Sequence, residues 1–140
     1  MEKITGTDLE IEVNPYGAQL MSLKTREDGK EFLWQGDDRF WADRSLILFP
    51  IVGGIPDDKY KFKNKFYKME PHGFAKDSLF QLIDKSASAV AFRLCESDSS
   101  LLQYPFKFQL TVSYTLESNT LHHKFQIKNQ DSHEMLFSVG

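Results

Sequence analysis

The sequence lacks several features that would assign it to a functional class. Its 140 residues include one cysteine, Cys95, so no intrachain disulfide can form and a cysteine-rich zinc site is excluded. No apolar run is long enough to span a membrane, and the N-terminus has no apolar segment typical of a secretory signal. The formal net charge of −3 argues against a nucleic-acid partner. We therefore expect a cytoplasmic protein that binds neither nucleic acid nor membrane.

Helical periodicity is also scarce, whereas aromatic residues make up 14% of the chain. Apolar and polar residues alternate in many segments, which is typical of strands. The pattern predicts an all-β fold with about ten strands and no long helix. The predicted strands lie within residues 4–13, which hold two short strands, 60–67, which form a hairpin around Asn64, and 18–24, 31–34, 78–84, 87–95, 106–116, 120–129 and 135–139.

Two irregular segments, 41–58 and 70–77, interrupt this pattern. Both place Pro and Gly beside apolar and ionisable residues. Loops on a rigid β-scaffold are common locations for functional residues. In the second segment His72 lies between Pro71 and Gly73, where a side chain can face a cleft.

Six short segments match, in the same order, the motifs of one known family. They are residues 17–23 (GAQLMSL), 31–37 (EFLWQGD), 48–53 (LFPIVG), 71–77 (PHGFAKD), 104–106 (YPF) and 135–140 (MLFSVG). Each is weak alone, but six in order over nearly the whole chain form a specific match. The sequence thus resembles the galactose mutarotase-like, or aldose 1-epimerase, superfamily, and is nearest to its bacterial lactose-operon-type branch.

The resemblance implies both a fold and a reaction. The fold is a large antiparallel β-sandwich. The reaction interconverts the α and β anomers of an aldose, here a hexose with or without a phosphate group. A base takes the proton from the C1 hydroxyl while an acid protonates the ring oxygen, so the ring opens and closes by general acid/base catalysis. The resemblance implies no cofactor and no metal.

The same resemblance suggests roles for individual residues. His72 matches the family histidine that contacts the sugar, and Phe74, Lys76 and Trp41 are further candidates for substrate binding. The family acid is a histidine that follows the Phe-Ser-x-Gly motif, and the family base is a glutamate far downstream. Both therefore lie beyond Gly140, and we expect no catalytic residue within this chain.

The sequence departs from the family pattern in three ways. Family members are roughly twice as long, as single-domain sandwiches often are. Gly54 stands where an arginine usually follows Phe-Pro-x-x-Gly, and glycine cannot supply a guanidinium group. Arg44 is a weak substitute because it lies ten positions upstream. Lys76 stands where the family often has arginine, which keeps the charge but loses the bidentate geometry.

Several other residues fit ordinary structural roles. We expect Trp34 and Phe49 to belong to the core, and the lysines of residues 59–68 to form a solvated strand face. His122 and His123 are neighbours on a predicted strand and should point to opposite faces, so they cannot chelate one metal ion together.

These observations predict that residues 1–140 are the N-terminal part of one mutarotase-like domain, inactive without the remainder. Two alternatives stay open. The chain could be a carbohydrate-binding sandwich that holds a sugar without converting it. It could also be a half-sandwich whose open sheet edge pairs with a partner chain or a second copy, because unpaired edges recruit other strands.

Overall fold

The computed structural model describes all 140 residues, which form nine strands, one six-residue α-helix and two 3₁₀ helices. The helix α1 spans Asp98–Gln103, and the 3₁₀ helices span Pro56–Asp58 and Ala75–Asp77. No helix is long and apolar enough to cross a membrane. The strands are β1 (Glu2–Thr5), β2 (Leu9–Asn14), β3 (Gln19–Thr25), β4 (Lys59–Phe62), β5 (Lys65–Lys68), β6 (Gln81–Lys85), β7 (Ala89–Cys95), β8 (Phe108–Glu117) and β9 (Thr120–Asn129).

Within each sheet, strands that follow one another in the sequence pair with one another, always antiparallel. They form a sheet β1-β2-β3, a hairpin β4-β5 and a sheet β6-β7-β8-β9. Alternation explains how each sheet contributes one apolar face, since successive side chains of a strand point to opposite sides. In β8 every second residue from Phe108 to Leu116 is buried. The prediction of an antiparallel all-β fold without a long helix is confirmed.

The two larger sheets contribute to one core of 21 buried residues. Tyr114 of β8 is fully buried, and its hydroxyl donates a hydrogen bond to the carbonyl of Ala18 at 2.8 Å. Burial raises the pKa of the Tyr114 hydroxyl well above its ordinary value. The hydroxyl therefore stays protonated, and it links β8 to the turn that precedes β3.

The predicted strand at residues 31–34 is absent. One bridge joins Glu31 to Lys24, after which the chain leaves the sheet. The Glu31 carboxylate accepts hydrogen bonds from the Ser22 hydroxyl at 2.6 Å and from the Leu23 N–H at 2.9 Å. Partial burial raises the pKa of Glu31, but these hydrogen bonds outweigh it and the net shift is downward. Trp34 is consequently 43% exposed, so the core prediction was wrong for Trp34 and correct for Phe49, which is fully buried.

The predicted strand at residues 135–139 pairs with the first irregular loop without forming a regular ladder. The backbone groups of Gly140 and Leu48 exchange two hydrogen bonds, of 2.8 and 3.1 Å. The Ser138 N–H donates to the Pro50 carbonyl at 2.9 Å. Pro50 has no N–H to return this bond, which interrupts the ladder. The end of the chain therefore lies along residues 48–52.

Gly73 allows the second irregular loop to approach the first. Its φ is +69°, and a Cβ at this position would lie 2.3 Å from the carbonyl oxygen of Phe49. That oxygen accepts hydrogen bonds from the N–H groups of Phe74 at 3.0 Å and Ala75 at 3.2 Å. A residue with a side chain would force these two backbones apart.

We expect Gly73→Ala to destabilise the fold far more than Gly29→Ala. Both glycines have a φ of +69°, but a Cβ at Gly29 would meet no atom within 4 Å. Gly29→Ala should lower the free energy of unfolding by about 1–2 kcal/mol, the cost of the left-handed conformation. Gly73→Ala should lower it by roughly 3 kcal/mol or more, because backbone must also move. Urea denaturation measures both, and equal losses would contradict the close approach described here.

Candidate functional site

His72 is held in place by two reciprocal hydrogen bonds with Gly53. The His72 N–H donates to the Gly53 carbonyl at 2.9 Å, and the Gly53 N–H donates to Nδ1 of His72 at 3.0 Å. A further hydrogen bond from the Gly73 N–H to the Glu70 carbonyl, at 3.0 Å, closes the turn that carries His72. The two irregular loops recognised in the sequence therefore meet at this histidine.

This geometry fixes the chemistry of the ring. Since Nδ1 accepts a hydrogen bond, the neutral imidazole carries its proton on Nε2. Nε2 makes no hydrogen bond within the protein, and the His72 side chain is only partly buried. His72 also has a φ of +69°. Such conformations in residues other than glycine are uncommon and cluster at functional sites. His72 thus presents one oriented, unused donor.

Gly54, beside the residue that orients His72, is exposed. Gly54 follows Gly53, and the nearest atom to a Cβ built on it is Cγ of Pro71, at 3.9 Å. A Cβ at Gly54 would therefore be accommodated. Gly140 lies against Val52, the residue before Gly53, since a Cβ on Gly140 would be 3.3 Å from Cγ2 of Val52. The end of the chain is thus close to the loop that orients His72.

The other predicted binding residues make contacts of their own. The half-buried ring of Phe74 packs edge-on against Phe49, with centroids 6.3 Å apart. The ammonium group of Lys76 pairs with the carboxylate of Asp77.

Trp41 is 52% exposed, and its carbonyl accepts a hydrogen bond from Nε1 of Trp34 at 2.8 Å. No hydrogen bond or ring contact links His72 to Phe74, Lys76 or Trp41.

Arg44 does not replace the family arginine whose position Gly54 occupies in this chain. Its guanidinium donates to the carbonyl of Met21 at 2.6 Å, which fixes it at β3. The two adjacent histidines of β9 behave as predicted. His123 stacks on Tyr114 with ring centroids 4.3 Å apart, whereas His122 lies 3.4 Å from Glu117. No group of three or more His, Cys, Asp or Glu side chains is placed to hold a metal ion.

Sequence reasoning found His72 but missed its partner. Gly53 contributes only backbone atoms to the pair, so no side-chain chemistry marks it. The one available signal was the Val52-Gly53-Gly54 run, since glycine tolerates the φ of +83° that Gly53 adopts.

Comparisons with known proteins agree with this architecture. Two LacX proteins of Lactococcus lactis subsp. lactis, one plasmid-encoded and one chromosomal, are each 30% identical to this chain over 138 residues. That alignment covers 94% of this chain and 46% of each relative. The chain therefore spans about half the length of the curated relatives it matches.

Solved structures give the same result. A galactose mutarotase related enzyme from Lactobacillus acidophilus superposes with a TM-score of 0.96 at 31% identity, over 99% of this chain and 46% of that one. A galactose mutarotase-like protein from Lactobacillus casei also gives 0.96, at 36% identity, over 99% of this chain and 47% of that one. Residues 3–140 match the family described as aldose 1-epimerase. Because this match covers almost every residue, the chain belongs to the aldose 1-epimerase family.

Proposed function

We propose that this chain is the N-terminal half of an aldose 1-epimerase that interconverts the α and β anomers of a hexose. The observation that carries the proposal is the locked orientation of His72, whose Nδ1 is bound to Gly53 and whose Nε2 remains free. Within a family that acts on aldoses, a fixed neutral donor on an open loop suits contact with a sugar hydroxyl or ring oxygen.

The reaction requires one base and one acid. A base removes the proton of the C1 hydroxyl, an acid protonates the ring oxygen, and the bond between C1 and that oxygen breaks. Rotation about the C1–C2 bond and reversal of these steps give the other anomer. In the family the acid is a histidine shortly after the Phe-Ser-x-Gly motif, which here ends at Gly140. Polypeptide continuing from Gly140 would start beside Val52, close to the loop that holds His72.

His72 is therefore a binding and positioning residue in this proposal, and the acid and base belong to the second half of the domain. Phe74 would support the loop from below through its contact with Phe49. Lys76 and Trp41 would contact the sugar only after the remainder of the domain orders their surroundings. Because general acid/base groups each contribute about 10²–10⁴-fold, residues 1–140 alone should show no mutarotation above background.

The direct test is a chimaera in which residues 1–140 continue into the second half of the Lactobacillus casei galactose mutarotase-like protein. That protein superposes on this chain with a TM-score of 0.96, so the junction should keep its geometry. We expect the chimaera, but not residues 1–140, to accelerate the mutarotation of freshly dissolved α-D-galactose or α-D-glucose, followed by polarimetry. A folded chimaera that binds neither sugar would refute the proposal, and one that binds without converting would favour the carbohydrate-binding alternative.

Two pairs of variants of the chimaera locate the site. His72→Asn keeps an acceptor near the Nδ1 position but removes Nε2, so kcat/KM should fall about tenfold with little loss of stability. His122 lies on the outer face of β9, so the control variant His122→Asn should change neither kcat/KM nor stability. Gly54→Arg should raise kcat/KM by about tenfold through a charge-assisted hydrogen bond. Gly54→Lys should gain less because it lacks the planar fork. Unchanged kinetics in His72→Asn would remove His72 from the site.

A second candidate function is assembly through β9. This strand has ten residues, pairs with β8 on one side and has no partner on the other. Its apolar side chains that face the core are only partly covered, namely Leu121, Phe125 and Ile127. His123 lies between them, is exposed and stacks on the Tyr114 ring, and desolvation lowers the pKa of His123 below its ordinary value. A long open edge with an apolar row is a template for another strand.

We infer that the second half of the family fold covers β9, since this chain spans only 46–47% of the length of its closely superposing relatives. Without that half, a second copy of the chain is the available substitute. The isolated chain should therefore form a homodimer through β9, whereas the chimaera should be monomeric.

Sedimentation velocity with two adjacent histidine variants tests this assembly. His123→Lys places a charge on the apolar row and should weaken self-association at least about tenfold, because burying an unpaired charge is costly. His122→Lys adds the same charge to the outer, solvated face and should leave association unchanged. A monomeric wild-type chain at high concentration, or equal effects of the two variants, would contradict assembly through β9.

A further inference from the structure

A second concave site is a groove where β6 begins and β7 ends. The groove has a volume of about 680 Å³, within the range of small-molecule sites. The loop that carries Glu70 and Asp77 forms one wall, and α1 with the residues before it forms another. Neither His72 nor Gly53 nor Gly54 lines it. Gly73 and Phe74 do line it, so the groove lies beside the turn that carries His72 and does not include His72 itself.

Arg93 is the central charge of this groove. It lies on β7, opposite Gln81 of β6 and Thr111 of β8, and alternation places it on the face away from the buried Phe92. Its guanidinium makes no hydrogen bond or ion pair with the protein, and its Nε is buried without a partner. An arginine is charged at every physiological pH, and a buried donor without an acceptor is costly. A ligand that supplies an acceptor to the Arg93 guanidinium would therefore stabilise the folded protein.

The acidic residues of the groove do not neutralise Arg93. Glu70 is paired with Lys68 at 2.5 Å, and Asp77 is paired with Lys76. Each of these carboxylates already has a cation, so the charge of Arg93 remains uncompensated. The groove thus contains the unpaired guanidinium of Arg93 and two carboxylates that are each paired with a lysine.

Uncharged donors surround the same space. Gln81 and Gln103 line the groove, and their side-chain amides make no hydrogen bond within the protein. Ser99 also lines the groove, and the one hydrogen bond of its hydroxyl is with the Ser97 hydroxyl at 2.9 Å. Amide and hydroxyl groups of this kind can donate to oxygen atoms that a guanidinium leaves free.

We propose that the Arg93 groove binds an oxyanion, the phosphate or carboxylate group of a small molecule. The guanidinium fork would hold two oxygens in bidentate fashion, which is the geometry that arginine offers and lysine does not. Gln81, Gln103 and Ser99 would donate to the remaining oxygens or to hydroxyl groups of the same molecule. The groove then provides a second ligand site on the chain, separate from the Nε2 donor of His72.

The test compares inorganic phosphate, malonate and sodium chloride at equal ionic strength. A ligand that binds only the folded state raises the unfolding midpoint with concentration. We expect phosphate, malonate or both to raise the thermal midpoint of the wild-type chain beyond the effect of chloride. Arg93→Gln should weaken this response at least tenfold, and Arg93→Lys should weaken it less. Lys128→Gln, which removes a charge from the outer face of β9, should respond as the wild type does.

Cys95 gives an independent readout because it is the single cysteine, is exposed and lines the groove. The effective anion should slow alkylation of Cys95 by uncharged iodoacetamide in the wild type and not in Arg93→Gln. Protection by phosphate alone assigns a phosphate ligand, and protection by malonate alone assigns a carboxylate. An unchanged midpoint with both anions, or an equal response in Arg93→Gln, would overturn the proposal.

Discussion

The carbonyl and the ring of Phe49 together hold the candidate site on the core. The carbonyl accepts two backbone hydrogen bonds from the loop that follows His72, at 3.0 and 3.2 Å. The ring is fully buried and packs against Phe74, Tyr104 and Phe108, with centroids 5.2–6.3 Å apart. One residue thus joins a polar loop to an apolar cluster. Any displacement of Phe49 would move both loops that meet at His72.

This arrangement explains how a loop without regular structure can be well positioned. His72 adopts a left-handed conformation that an isolated peptide would rarely populate. Its backbone and its ring are both bonded to Gly53, and the next residues are bonded to Phe49. The cost of the unusual φ is offset by hydrogen bonds that only this conformation allows. The donor at Nε2 is consequently oriented before any ligand arrives, which lowers the entropic cost of binding.

The sequence predicted the parts of the fold that depend on alternation. The strands within residues 106–129 have the predicted positions because one face of each contacts the sheet core over a long distance. The segment 31–34 was predicted incorrectly because only its first residues pair with β3 before the chain leaves the sheet. Three hydrogen bonds to the Glu31 carboxylate replace a ladder there, and Trp34 leaves the core. Residue patterns record which side chains are apolar and not which backbones are available to pair.

The same limit applies to the candidate sites. His72 was recognisable because a family motif surrounds it, whereas Gly53 acts through backbone atoms that every residue possesses. Arg93 was overlooked because one charged residue on the outer face of a strand is ordinary in any sequence. Arg93 becomes notable only in the folded structure, where it has no ion-pair partner because the nearby carboxylates are paired with Lys68 and Lys76.

The two open regions of the molecule differ in the kind of partner they can accept. The β9 edge offers unpaired backbone groups beside a partly covered apolar row, and another strand satisfies both at once. The Arg93 groove offers a fixed positive charge and unused amide donors, which a strand with apolar side chains would leave unsatisfied. Polypeptide is therefore the better complement for β9, and an oxyanion is the better complement for Arg93. If the second half of the fold covers β9, as proposed, the sandwich is complete and the Arg93 groove remains open to a ligand.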